Sequence, residues 1–540
     1  MFRKPWMMAP ALWLAVACSA PQQGTPVAVD QAAPTPRYGG VLNVPVSNDP
    51  TNWDMTISKS VPNSYGAAMA YGTLLTYKTG PGIDYNEGIL AAKLAERWEV
   101  ATDARTFIFH LRKGVKFADT PPLNRRELTA ADVKWSYEYG SRTGEFQDKS
   151  LPPSEYNFMF EGVDRIETPD RYTVAVHFKT PFAPFINYAG ADWNVIMPPE
   201  LYGLEGKLQD NLLGIGPYRL NKEASQKGTR WVFHKEPNYW EDGKPYLDQV
   251  RWLVITDDAT ENAAFQARQI DLLQDVASGS AEDVKRANSN AMALQYQTGY
   301  PRMVALNHRK PPLNDVRIRK ALALSIDRDE LNKVMEKGKG EWQMPAVFTG
   351  YFTQDEIRKL MPYNPAEAKR LVTEAGYPDG VPVEIQYAGL TEGQAFVTML
   401  ELMQTQVKKG GINLEMKNTE RSTYTRNLRV ANFEFIIRSG STQRWDPDGA
   451  LAYFDPKASR NWSGTDDPAL TEIIETQRRE ADPTKRRELI RKAAARVVEQ
   501  AHSLGFYTEA LTHFWHPYVK NYYRNWNLSG INVADVWVDK

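Results

Sequence analysis

The chain has 540 residues, with 65 Lys and Arg against 66 Asp and Glu and a formal charge of −1. That balance, with no basic cluster longer than short runs such as Lys485 to Arg487, excludes the electrostatic footprint of a nucleic-acid binder. A single cysteine, Cys18, excludes a disulfide framework, and the length suggests about three domains at roughly 100 to 200 residues each.

Arg3 and Lys4 form a positive start, and Trp6 to Val16 is an apolar run too short to span a membrane. Ala15-Val16-Ala17-Cys18 resembles a bacterial lipobox, in which the chain is cut before the cysteine and the thiol is diacylated. Ala15 stands where Leu is usual, so cleavage near Ala17 or Ala20 by ordinary signal peptidase is the alternative. Both readings export the protein. Residues 1–17 are thus expected to be a signal peptide and 18–37 a lipidated cysteine with a flexible Pro/Gln/Ala/Thr tether.

Folding is expected to start near Tyr38, with Val41 to Val46 as an apolar strand and Ser47 to Asp54 as a loop built on Asn48, Asp49, Pro50 and Asn52. Thr106 to Leu111 alternates, placing Phe107, Phe109 and Leu111 on one face of a half-buried strand. Thr129 with Asp132 caps a helix carrying Val133 and Tyr137. Tyr172 to Phe178 is a further alternating strand. Val316 to Arg328 has helical spacing at Ile318, Leu322 and Ile326, capped by Asn314 or Asp315. Asn364, Pro365 and Glu367 give an N-cap, a first-turn proline and a capping-box acid, and Gly376 gives the left-handed stop. Asp482-Pro483 opens a helix with Leu489, Ala493 and Val497 on one face, and the basic residues 485, 486, 487, 491 and 492 read as a solvated face.

The stretch from Leu94 to Ser136, LAERWEVATDARTFIFHLRKGVKFADTPPLNRRELTAADVKWS, resembles the LAxxWE…FxLRxGVKF…TAxDVxxS signature of the family 5 extracytoplasmic solute-binding proteins, the peptide and nickel receptors of ABC importers. Gly39-Gly40-Val41-Leu42, Gly214 to Tyr218, Asn238-Tyr239-Trp240 and Lys244 to Asp248 extend the resemblance. It implies an α/β fold of two lobes, the periplasmic-binding-protein-like type II, cluster C style, with a subdomain inserted in lobe one. Carried onto this chain, lobe one is 38–300 with the insertion at about 53–181, lobe two is 301–512, and 513–540 returns to lobe one.

Phe433 to Ile437 reads as a strand covered on both faces, running into Arg438-Ser-Gly-Ser-Thr-Gln-Arg-Trp-Asp446-Pro447. Ligands of open α/β sheets bind beyond the carboxyl ends of strands. The expected ligand contacts are Arg438, Gly440, Ser441, Thr442, Gln443, Trp445 and Asp446 in this loop, Asn48 and Trp53 after the first strand, and Asn461 and Trp462. The alternative is a plain surface loop whose Trp445 packs inward and whose Asp446-Pro447-Asp448 caps the next helix. The resemblance implies that in dipeptide-binding relatives an aspartate of this loop grips the ligand amine and an arginine after the strand corresponding to Val383 to Tyr387 holds its carboxylate. The matching places here are Gln443 and the base-free Ala388 to Gln394. A buried terminus without a countercharge costs several kcal/mol, which disfavours free dipeptides and favours a longer peptide or a neutral solute such as an oligosaccharide.

Enzyme signatures are absent: no GxSxG, HExxH, GxxxxGK[ST] or CxxC occurs. Asp257-Asp258 and Asp466-Asp467 are acid pairs that read as helix caps; an envelope glycan hydrolase, which needs convergent carboxylates, is the lesser alternative. His513 and His516, three apart, are expected to share a helical face but lack a third ligand for a metal, and His110 and His177 read as strand-face residues. The expectation is a monomeric, non-catalytic receptor without cofactor or resident metal. It is anchored through Cys18 in the periplasm or at the outer face of the plasma membrane, and hands an oligopeptide or similar solute to ABC permease subunits served by a cytoplasmic ATPase.

Overall fold

A computed structural model describes residues 35–540, apart from 58–59, 148–149, 153, 155, 203–206, 300–301, 348, 390–392, 439–444, 459, 526–527 and 529–531. Cys18 lies outside the described residues, and the body begins at Arg37. Among the described residues no helix is long and apolar enough to cross a membrane.

Val41–Val46 buries Leu42, Val44 and Val46 and pairs in parallel with Gln249–Val254. The sheet continues antiparallel through Arg230–Lys235 to Tyr218–Leu220. Thr106–Leu111 forms as expected, with Phe107, Phe109 and Leu111 buried. It sits second in an antiparallel sheet ordered Ala95–Val100, Thr106–Leu111, Thr173–Phe178, Val163–Asp170. The Ala130–Ser141 helix carries the expected Thr129/Asp132 capping box. Its Tyr137 packs edge-on to Phe160 and Phe185 at 5.1 and 6.1 Å.

A third sheet sets Ala510–Trp515 between Leu272–Ala277 and Met292–Gln297, all antiparallel. A fourth is ordered Met303–Leu306, Phe435–Arg438, Val381–Tyr387, Ile412–Asn418, with only its first pairing antiparallel. The chain passes between these two sheets twice. It leaves after Gln297 and returns through Tyr507 to Glu509, and the two passages are held together by Thr298 N–H donating to the Glu509 carbonyl at 2.9 Å and by an Arg302–Glu509 ion pair at 2.7 Å. Separate apolar cores lie on either side. On one side, the main core is built from Leu42 to Leu272 with Trp445 and Val519 to Val538, and a smaller one from Ala264 to Val284 with Phe514; on the other, the cores draw on residues between Val304 and Tyr507.

Four local expectations are corrected. The helix expected from Val316 to Arg328 is two helices, Val316–Leu324 and Arg328–Met335; Asp327 accepts from the Glu330 N–H and caps the second, so Ile326 keeps its burial in a bend. Asn364 caps Pro365–Glu374, but the Glu367 carboxylate pairs with Arg370 instead of closing a capping box. The buried face of Pro483–Glu499 is Arg486, Ile490, Ala493, Ala494 and Val497, with Leu489 only half-buried. Arg486 is therefore no part of a solvated face. His513 and His516 share no helix: His513 lies in the Ala510–Trp515 strand, stacked on Tyr296, and His516 comes just after it, stacked on Phe265.

The acid pairs act as caps. Asp257 accepts from the Thr260 N–H and Asp467 from the Leu470 N–H. Burial by itself raises the Asp467 carboxyl, but hydrogen bonds from Arg496 at 2.8 Å and His502 at 3.0 Å outweigh it and hold its pKa down to about 2. The unfolded value is about 3.9, so this carboxylate contributes about 2 kcal/mol above pH 4 that disappears as pH falls toward 2. The urea-measured stability difference between wild type and Asp467→Asn is expected to shrink by that amount between pH 5 and pH 2; a constant difference refutes the assignment.

Candidate functional site

Phe435–Arg438 is buried on both faces: Phe435 and Ile437 belong to one core and Ile436 to another. Arg438 ends the strand, opposite Met303. Gly440, Ser441, Thr442 and Gln443, next in the chain, lie outside the described residues. The chain is next described at Trp445, which belongs to the first core, and at Asp446, which stands between Asn187 of that side and Arg486 of the other. Trp445 is 4 % exposed and meets the ring of Trp193 edge-on at 4.5 Å.

Asp446 is 1 % exposed and each of its oxygens takes two donors. Oδ1 accepts from Arg486 Nη2 at 2.7 Å and from the Asp448 N–H at 2.8 Å; Oδ2 accepts from Arg486 Nη1 at 2.7 Å and from Asn187 Nδ2 at 2.7 Å. Arg486 is further tied to Gln477 Oε1 at 2.8 Å. Burial opposes its charge, but the carboxylate holds the guanidinium above its ordinary range. This is a fully desolvated, bidentate ion pair reached by an amide from the opposite core. Beside it, the Ala183 N–H donates to the Arg478 carbonyl at 2.8 Å, and the Arg460 guanidinium lies over Phe158 at 4.4 Å.

A crevice of about 530 Å³ opens at this contact, between Asn157, Phe158 and Glu161 on one wall and Asp448, Gly449 and Arg460 on the other. Its size lies within the usual span of small-ligand sites. A second cavity, about 310 Å³, is lined by Tyr71, Tyr77, Asp192, Lys93 and Asn532.

The remaining expected contacts are engaged elsewhere. Trp53 is 4 % exposed, enclosed by Trp231, Phe233 and Trp252, and a Cβ at Gly66 would meet its ring at 2.3 Å. Its aromatic surface is spent on core packing. Asn48 is exposed and bonded to its neighbours Ser47 and Asp49. Asn461 closes a turn, donating to the Thr465 carbonyl at 2.7 Å and accepting from its N–H at 2.9 Å. Trp462 packs on Tyr453 at 5.3 Å. Trp193, Asn187 and Arg486 went unseen in the sequence. Only Arg486 left a signal, since it stands four residues before Ile490 and seven before Ala493, in register with the buried stripe.

Residues 90–462 match the family model described as bacterial extracellular solute-binding proteins, family 5 Middle. The chain is similar to the dipeptide-binding protein of Escherichia coli (strain K12), 27% identical over 435 residues that cover 76% of this chain and 79% of that protein. It is similar to heme-binding protein A of Haemophilus influenzae, 26% identical over 478 residues, 82% of this chain and 84% of that protein. Among solved structures, the ABC transporter-associated periplasmic binding protein DppA from Helicobacter pylori, in complex with the peptide STSA, aligns with a TM-score of 0.77 at 22% identity, covering 93% of this chain and 99% of that one. The likeness is one of fold, a two-lobed α/β architecture.

Proposed function

Because the chain belongs to the bacterial extracellular solute-binding proteins of family 5, we propose that it is the substrate receptor of an ABC importer, closing two lobes on an intact oligopeptide or similar solute. The lobes are about 38–300 with 513–540, and 301–512. The observation that carries this reading is the contact at the end of Phe435–Arg438, where Trp445 and Asp446 leave one core and bury themselves against Trp193 and Asn187 of the other. Only two strands of chain join the bodies, so such a contact can form and break as a unit. A solute that touches both walls binds the closed state better and shifts the population toward it. The closed pair then presents a joint surface to the permease, and ATP is consumed by other subunits.

The proteins to which the chain is similar are named for ligands as different as dipeptides and heme, so cargo size is set by local chemistry. Gln443 in place of an acid and the base-free Ala388 to Gln394 remove the paired countercharges that a free dipeptide needs at those places. Mass spectrometry of the solute that copurifies tests the function: an intact bound peptide is expected, and cleaved products would point to an enzyme. We further assign the membrane attachment to a diacylated Cys18. Cys18→Ser is expected to shift the protein from the membrane to the soluble fraction, and persistent membrane association overturns the anchor.

A further inference from the structure

Arg524, in the segment that returns to the first core, is 8 % exposed, and its Nε and Nη1 are buried without a hydrogen-bond partner among the described residues. Two other buried arginines, Arg328 and Arg486, are satisfied differently. Arg328 donates to the carbonyls of Gly505, Ile326, Met361 and Ala323, and Arg486 is locked to Asp446. Taking a guanidinium out of water costs several kcal/mol, and each unmet buried donor adds to that. Such a group signals a partner that is absent from the bare chain.

The surroundings describe that partner. The groups acting electrostatically on Arg524 are the phenols of Tyr65, Tyr85 and Tyr522 and the carboxylate of Asp275, which itself accepts the Tyr296 hydroxyl proton. Tyr65 and Tyr522 are linked through Gln274, at 3.3 and 3.4 Å. Tyr85 lies on Tyr296 at 4.0 Å, and Tyr296 stacks on His513 at 4.8 Å, forming an aromatic wall. The Asp275 N–H donates to His513 Nδ1 at 3.3 Å. Burial first, and then Arg524, depress the His513 pKa to about 3, so the ring is neutral and its proton sits on Nε2. That nitrogen too is buried without a hydrogen-bond partner among the described residues, with Asp275 Oδ1 standing 3.6 Å away, beyond hydrogen-bond distance. Asp275, Tyr296 and His513 all stand on the third sheet, from which both passages to the other body depart.

A cationic fork with spare donors, a third N–H nearby and flat aromatic walls make an acceptor-seeking site. A single guanidinium, its charge partly offset by Asp275, tolerates a monoanion far better than a dianion, and its planar geometry matches two coplanar oxygens. We infer that Arg524 receives a carboxylate of the transported solute, such as the free C-terminus of a peptide. It thereby supplies from the first body the countercharge that Ala388 to Gln394 lacks. This rests on the receptor reading above.

The test uses two matched tetrapeptide pools, one with free C-terminal acids and one with C-terminal amides, titrated into wild type, Arg524→Gln and Arg524→Lys. The acids are expected to bind wild type at least ~30-fold tighter than the amides. Arg524→Gln should remove that preference while leaving amide binding in place, and Arg524→Lys should restore part of it. Equal binding of acids and amides by wild type, or an undiminished preference in Arg524→Gln, overturns the inference. So does competition by inorganic phosphate at concentrations where acetate has no effect. Should Arg524→Gln fail to fold, Arg524→Lys decides: a reduced preference for acids supports the assignment and an unreduced one overturns it. An intact copurified cargo without an acidic group sinks the Arg524 assignment and leaves the receptor standing; peptide cleavage sinks both.

Discussion

Asp446→Ala is expected to destabilise the protein by about 3–5 kcal/mol, the usual cost of removing one partner from a buried ion pair. The physical reason is the asymmetry of the pair. Arg486 stays within a closed interior with two of its best hydrogen bonds gone, Asn187 Nδ2 loses its acceptor, and the Asp448 N–H loses its cap. Denaturant melts of wild type, Asp446→Ala and the double variant Asp446→Ala/Arg486→Met measure it. The double variant should recover much of the loss, because it removes the stranded charge along with its counterion. A single-variant cost below about 1 kcal/mol means that water reaches Arg486 and refutes the desolvated pair.

Trp445→Ala should act on the relation between the two bodies more than on either core. The ring belongs to the Phe435–Arg438 side by chain connection and to the Trp193 side by burial. Truncating it removes apolar contact only in the closed arrangement. About 2.7 kcal/mol of lost closed-state packing corresponds to roughly a hundredfold loss of cargo affinity, with far-ultraviolet circular dichroism unchanged. Small-angle scattering should report a larger radius of gyration for the variant at cargo concentrations that saturate wild type. Normal affinity together with an unchanged radius would remove this loop from the closure mechanism. The alternative sequence reading, in which Trp445 packs inward and Asp446 helps cap the next helix, describes the local geometry well: Trp445 is buried and Asp446 accepts the Asp448 N–H. It omits that the interior reached belongs to the opposite body.

Short-range chemistry was legible in the linear order. The Thr129/Asp132 box, the Asp315 and Asn364 caps, the left-handed Gly376 and the alternation of Thr106–Leu111 each depend on residues a few places apart, and each stands where the pattern places it. The family signature between Leu94 and Ser136 was legible for a related reason. It runs through two paired strands, Ala95–Val100 and Thr106–Leu111, a loop and the start of one helix, so its spacing survives in the chain itself.

The candidate site was legible only as a strand end. Trp53 had the composition of a ligand platform, yet the neighbours that occupy its faces, Trp231 and Trp252, come from nearly two hundred residues away. Arg486 looked like one more charge in a basic helix, and nothing local tells that its partner stands forty residues earlier.

The sequence by itself determined the near-neutral charge, the helix starts set by caps, the strand periodicities and the membership in a family of extracellular solute-binding proteins, because propensity, capping and patterning act over single turns and pleats. Tertiary structure alone decided which charges are buried, which aromatics are core and which remain for a ligand. Burial depends on what the other body and the returning C-terminus bring against a side chain, and it is this desolvation that locks Asp446 to Arg486 and encloses two donors of Arg524 that have no hydrogen-bond partner among the described residues.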